Sequence, residues 1–259
     1  MQETSALYRQ ILAGDHWYEC ALAYGEAGRL ITKQGESITF GGTSILIGRS
    51  GGDAGYQEDY LYSIETTRAV FAEDNPAVGC CIAGEIDVKM RVPAVDIPRM
   101  AQIVPYVRIC NSESKSEWIQ KGVYYIDTRD RETFGEEEVL HIHGFDAILK
   151  AEAEFDTSRV SSWPATDANV ISGCAAQLDV SIDSRTWDIV NKNYSIPMRT
   201  GYSVREILGF IAAMYAGCWV MNDFGQLMII ALNGLPKETN YLVDHVGDAI
   251  TFGGDRILV

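Results

Sequence analysis

The chain is poor in positive charge, in histidine and in cysteine, and it has no long apolar run. Against 36 Asp and Glu stand 21 Lys and Arg, giving a net charge of −15 at pH 7. So acidic a chain is a poor candidate for holding nucleic acid by phosphate neutralisation. It suits solubility, and it equally suits a surface that DNA must slide past without sticking. The six cysteines are Cys20, Cys80, Cys81, Cys110, Cys174 and Cys218. They contain no CxxC and have neither metal nor disulfide-framework spacing, so they read as buried thiols of a reducing compartment. The most apolar stretch, near residues 207–220, is broken by Gly209 and Gly217 and is no membrane span. Residues 1–30 carry Asp15, Glu19, Glu26 and Arg29 and no apolar core of a secretory signal. HExxH and GxSxG are absent.

What is present is a β-rich pattern followed by a helical one, hence an α+β fold class. Residues 5–13 have helical spacing and stop at Gly14. Residues 16–24 suit a strand, and short strands over 29–32, 37–40 and 45–47 are divided by Gly41 and Gly42. In GEIDVKM, Ile86, Val88 and Met90 alternate with Glu85, Asp87 and Lys89, the mark of an antiparallel strand with one wet face. Residues 64–71 read as an edge strand and 103–109 as another strand. The stretch 117–152 reads as strand, turn at Phe134-Gly135-Glu136, return strand ended by Gly144, then a helical start at Asp146. Beyond about residue 150, Thr166 or Asp167 caps a helix with Val170, Cys174 and Leu178 on one face. Ser203 and Glu206 form a capping box before the stripe Val204, Ile207, Leu208, Ile211 and Tyr215. A hairpin over 218–232 turns at Asn222-Asp223-Phe224-Gly225. The sequence Ile38-Thr39-Phe40-Gly41-Gly42 recurs as Ile250-Thr251-Phe252-Gly253-Gly254.

Residues with chemical potential are few, and each has a structural explanation. His141 and His143 share a strand face, and a metal would need a third ligand such as His16, His245 or a carboxylate. The Gly-rich stretch 48–60 lacks the lysine of a P-loop, and its Asp53, Glu58 and Asp59 match no EF-hand. It reads as a surface contact loop. Asp127 with Asp130, and Glu136, Glu137 and Glu138, are the carboxylate pairs a glycosidase would need, and they read as solvated faces. Cys20 and Cys218 have no histidine nearby in sequence. No catalytic, cofactor-binding or metal-binding residue is assigned, and the chain reads as a non-enzyme without a cofactor. Tyr56, Tyr60 and Tyr62, if exposed, would favour sugar binding.

Four phrases carry a family resemblance: GVYYIDTR, HGFDAILKAE, IPRMAQIVPYVRI and YSVREILGFIAAMYAG, spanning about residues 79–232 with the hairpin that follows. In these the chain resembles the N-terminal part of phage and prophage tail hub proteins, the gp27-like baseplate proteins also described as prophage endopeptidase tail proteins. The resemblance implies a β-barrel-like hub domain over residues 1–150 and a smaller α+β domain of two helices and a hairpin over 151–247. Residues 248–259 would be the first strand of a second, truncated barrel. It further implies a virion structural protein at the tail tip, assembled in the bacterial cytoplasm as a homotrimer around the DNA path. Its partners would be the distal tail protein and the tape-measure protein, with DNA passing unbound and no membrane-spanning segment. The alternatives are a tail-associated cell-wall endopeptidase or hydrolase, an activity that sits in a separate C-terminal region of some relatives, and a host sugar-binding module.

Overall fold

The computed structural model describes residues 4–24, 56, 59–71, 77–93, 97, 100–134 and 137–232, and the backbone of residues 28–29, 39–40, 43–44, 46–47, 251–252 and 255–256. Helix α1 (Ala6–Leu12) opens the chain, its first turn capped by the Ser5 hydroxyl, which accepts the Tyr8 amide at 3.0 Å. Strands β1 (Trp17–Tyr24), β2 (Leu61–Thr67), β3 (Glu85–Arg91), β4 (Gln102–Cys110), β5 (Ile119–Gln120), β6 (Tyr124–Phe134) and β7 (Glu137–Phe145) follow. They form one antiparallel sheet in the order β1-β4-β6-β7-β3-β2, with β5 pairing β4. The alternation in β3 does what its pattern requires. Ile86, Val88 and Met90 are fully buried among Leu22, Ile103, Tyr124, Ile126 and Ile142, and Glu85, Lys89 and Arg91 are exposed.

The sheet does not close into a barrel among the described residues, which corrects that expectation. Its end strands β1 and β2 share no ladder. Leu22 of β1 instead makes an isolated antiparallel bridge to Tyr56, which precedes β2, with both amide–carbonyl bonds at 2.8 Å. Among the described residues the sheet is left open between β1 and β2. Gly144 likewise does not end its strand. β7 runs on to Phe145, and Gly144 lies opposite Ile126 where the β6 register shifts. A Cβ there would sit 2.6 Å from the Tyr125 carbonyl oxygen, so the glycine serves close backbone approach at a bulge. The turn at Gly135-Glu136 lies outside the described residues.

A second core lies beyond the sheet. The 3₁₀ helix Ala147–Glu152, capped by Asp146, leads into α2 (Asp167–Leu178), whose N-cap is Thr166. Helix α3 (Val204–Met214) starts at the expected capping box, with Ser203 and Glu206 satisfying each other's amides. The hairpin of β8 (Gly217–Met221) and β9 (Leu227–Ala231) packs on it. Val170, Cys174 and Leu178 of α2 meet Val204, Leu208 and Ile211 of α3 around the fully buried Trp219, whose indole donates to the Leu208 carbonyl at 2.7 Å. Both copies of the Thr-Phe-Gly-Gly echo enter the same antiparallel backbone pairing: Thr39–Phe40 pairs Thr43–Ser44, and Thr251–Phe252 pairs Asp255–Arg256.

The two cores are stitched by residues 77–84. Gly79 donates to the Gly217 carbonyl and Trp219 to the Cys80 carbonyl, both at 2.8 Å, and Cys81 bridges Trp219 in parallel. Arg205 of α3 donates to the carbonyls of Cys81 and Ile148. Its Nε lies 2.6 Å from Glu152 Oε1 off the N–H direction, so that contact is ionic. The buried Asp146 accepts the amides of Gly84 (2.7 Å) and Ile148 (2.9 Å), and burial pushes its carboxyl up to about 6 against those bonds. Gly79 takes φ +81°, and a Cβ on Gly209 would lie 2.8 Å from the Gly79 oxygen, so the α3 backbone touches the seam directly.

Two predictions follow from these contacts. Glu19 on β1 is buried between Lys115 (2.6 Å) and Arg108 (2.7 Å), the latter stacked 4.2 Å over Trp118. The Lys115 bond, with Arg108 beside it, outweighs burial and holds the carboxyl down at about 2. The stability Glu19 contributes is thus present above the ordinary carboxylate range and lost as pH falls towards 2. Glu19→Gln should cost about 1–3 kcal/mol at pH 7 in urea melts, with a gap to wild type that narrows below pH 4.5; a pH-independent gap would refute this. In α3, Gly209→Ala gains about 1 kcal/mol of helix propensity but drives a Cβ into the Gly79 carbonyl. The net should be a loss of about 1–3 kcal/mol, and a raised urea midpoint would show that the seam yields freely.

Candidate functional site: an apolar assembly surface

Among the described residues, those singled out in the sequence do not converge on a catalytic arrangement. His141 Nε2 and His143 Nδ1 both face Asp87 Oδ1, at 3.1 and 3.2 Å, and Glu132 lies 3.5 Å from His141 Nδ1. Among the described residues no group of three or more such side chains is arranged to hold a metal ion. His16 bonds the Gly14 carbonyl at 2.7 Å. His245, Asp53, Glu58 and Glu136 lie outside the described residues. Asp127 and Asp130 are on β6, Arg131 pairs loosely with Glu138 at 3.8 Å, and Glu137 accepts the Tyr62 hydroxyl at 2.7 Å. Tyr56 is half-buried and stacked on Tyr24, whereas Tyr60 and Tyr62 are exposed, Tyr62 beside a cleft of about 220 Å³ with Lys89, Glu132 and Glu137. Cys20 is half-buried and Cys218 is buried.

The structure instead shows apolar side chains on the outside. Helix α3 buries Val204, Leu208 and Ile211, which leaves Phe210 and Met214 on its far face at 57% and 43% exposure. Phe210 packs edge-on against Tyr202 at 5.5 Å, and with Pro197 and Ile196 it borders a groove of about 170 Å³. Arg199 lines the same groove. A second apolar set, Trp17 and Tyr18 with Leu7 and Leu12, lies at the β1 edge of the sheet and on α1. Single exposed apolar residues are ordinary, but a clustered set beside a groove marks a contact surface. Helical spacing carried this signal: Phe210 and Met214 are four apart and fall outside the stripe that the sequence assigns to the core.

No protein-family model matches the chain, and no curated protein matches it in sequence. Among solved structures, the 43 kDa tail protein of prophage MuSo2 from Shewanella oneidensis aligns at 13% identity with a TM-score of 0.52. The alignment covers 92% of this chain and 62% of that one, so the chain spans under two thirds of the length of that neighbour. The tail protein from Neisseria meningitidis MC58 aligns at 11% identity with a TM-score of 0.45, covering 90% of this chain and 53% of its own. The α+β fold described above, an antiparallel sheet with a helix-and-hairpin unit beside it, is therefore a fold shared with part of a prophage tail protein.

Proposed function

We propose that the chain is a structural component of a phage or prophage tail, acting at the tip as part of the baseplate hub. The observation that carries this reading is the fold shared with the 43 kDa prophage tail protein over 92% of the chain. In this reading three copies close a ring between the tail tube and the distal tip, with the distal tail protein and the tape measure as neighbours and DNA passing through. The net charge of −15 supports passage without adhesion. The exposed α3 face and the exposed apolar side chains of β1 and α1 support contact between copies, since a closed ring buries such surfaces. Assembly in the bacterial cytoplasm and residence in the virion tail follow from the same reading, as does a non-enzymatic role. A second reading, a host sugar-binding module, is favoured by the exposed Tyr62 beside a cleft that Lys89, Glu132 and Glu137 also line. Retention on a glycan array that Tyr62→Ala abolishes would support it.

Light scattering across a concentration range tests the ring. The expected species is three times the chain mass of 28.6 kDa. Phe210→Asp should shift it towards monomer by about 1.5–3 kcal/mol of lost burial without lowering the thermal midpoint. A trimer untouched by Phe210→Asp would remove the α3 face from the interface. A wild-type monomer at every concentration would count against the ring itself and make a cell-wall digestion assay the next experiment.

A further inference from the structure

The seam holds a pair of thiols that the sequence keeps far apart. The parallel bridge of Cys81 to Trp219 sets Cys80 beside Cys218 on the neighbouring backbone. Cys81 and Trp219 turn into the second core, so Cys80 and Cys218 share the opposite side. Both sulfurs reach the same acceptor, the Ala77 carbonyl, Cys218 Sγ at 3.1 Å and Cys80 Sγ at 3.6 Å. Adjacent paired strands lie about 4.7–4.9 Å apart, and a disulfide spans Cα separations of about 4.4–6.8 Å, so the backbone needs no rearrangement to bring the sulfurs to bonding distance.

We propose that Cys80 and Cys218 are a redox pair that forms a disulfide across the seam. The two differ in access in the way the reaction requires. Cys80 is half-buried and open to a reagent, whereas Cys218 is buried. Burial, with the Cys80 thiol against it, also holds the Cys218 thiol up. Cys80 as thiolate attacks one sulfur of a small-molecule disulfide such as oxidised glutathione, breaking its S–S bond and expelling one glutathione thiolate. Cys218 as thiolate then attacks the Cys80 sulfur, breaking the mixed disulfide and expelling the second. The two protons lost by the cysteines end on the two glutathione thiols, and the protein loses the two electrons that the glutathione disulfide gains. Cys81 and Cys174 are excluded from this exchange, since both are sealed in the second core and burial raises both thiols, that of Cys81 to about 12. The bond would tie the segment before β3 to β8, closing a long loop between the two cores and so restricting the unfolded chain. This inference does not depend on the tail reading. If that reading holds, the pair stays reduced during assembly in the cell and meets oxidant after release.

The test uses the full chain. It is incubated with oxidised glutathione, the remaining thiols are alkylated, and the product is digested without reductant for peptide mass mapping. The expected result is a Cys80–Cys218 linked peptide carrying no glutathione. The urea midpoint should rise on oxidation and return on adding dithiothreitol. Cys80→Ser should leave Cys218 free and alkylated only after denaturation. Because the mapping is done on wild-type protein, a poorly folding variant does not weaken it. Recovery of Cys80 as a stable glutathione adduct with Cys218 free, a vicinal Cys80–Cys81 or a Cys81–Cys174 link, or six unreacted thiols would each overturn the proposal.

Discussion

Backbone pairing between residues 79–81 and β8 is the constraint on which the rest of the structure depends. Each core alone leaves a raw edge there: the sheet lacks anything to hold the approach to β3, and the hairpin lacks a neighbour for β8. Two 2.8 Å hydrogen bonds and the Cys81–Trp219 bridge satisfy both. The surroundings are shaped to permit that approach. Gly79 and Gly209 let a helix backbone touch a strand backbone, and Arg205 and Asp146 consume the polar groups that the junction would otherwise bury unpaired. A buried carboxyl at about 6 is a cost borne at this junction, because its oxygens are the acceptors that fix the path of the chain from β7 into the second core.

Much of this was legible in the sequence wherever a local rule decided the outcome. The β3 alternation, the Ser203–Glu206 capping box, the Thr166 cap and the stripe of α3 all depend on residues a few positions apart, and each folds as its spacing requires. The readings that failed were those in which a distant backbone intervened. Gly144 looks like a strand terminator in isolation, yet its role is set by the Tyr125 carbonyl on the neighbouring strand. Barrel closure depends on whether β1 and β2 form a ladder, and no local pattern encodes that. The thiol pair is the extreme case, because nothing near Cys80 in sequence points to Cys218.

The candidate surface was half legible. The helical period of α3 assigns Val204, Leu208 and Ile211 to the core, and the same period sets Phe210 and Met214 apart as apolar residues with no core to enter. Recognising them as a face required Tyr202, Ile196 and Pro197, which arrive from another segment. The chemistry suggested by His141 and His143 dissolves for a related reason. Both rings turn to one carboxylate oxygen of Asp87 across the strand pair, a structural arrangement that a two-residue spacing cannot distinguish from ligation.

The seam also sets a schedule for synthesis. Ala77 and the Cys218 thiol it accepts are 141 residues apart in the chain. A ribosome delivers every strand of the sheet, and the fold's first core can form, long before β8 exists. During that interval the edge at residues 79–81 has no mate and Cys81 no cover. Trp219 then arrives after the sheet it must meet, and its arrival joins the two cores. Loop closure on this scale is slow, so a nascent chain of this protein spends much of its making with one sticky edge presented to whatever else the cell contains.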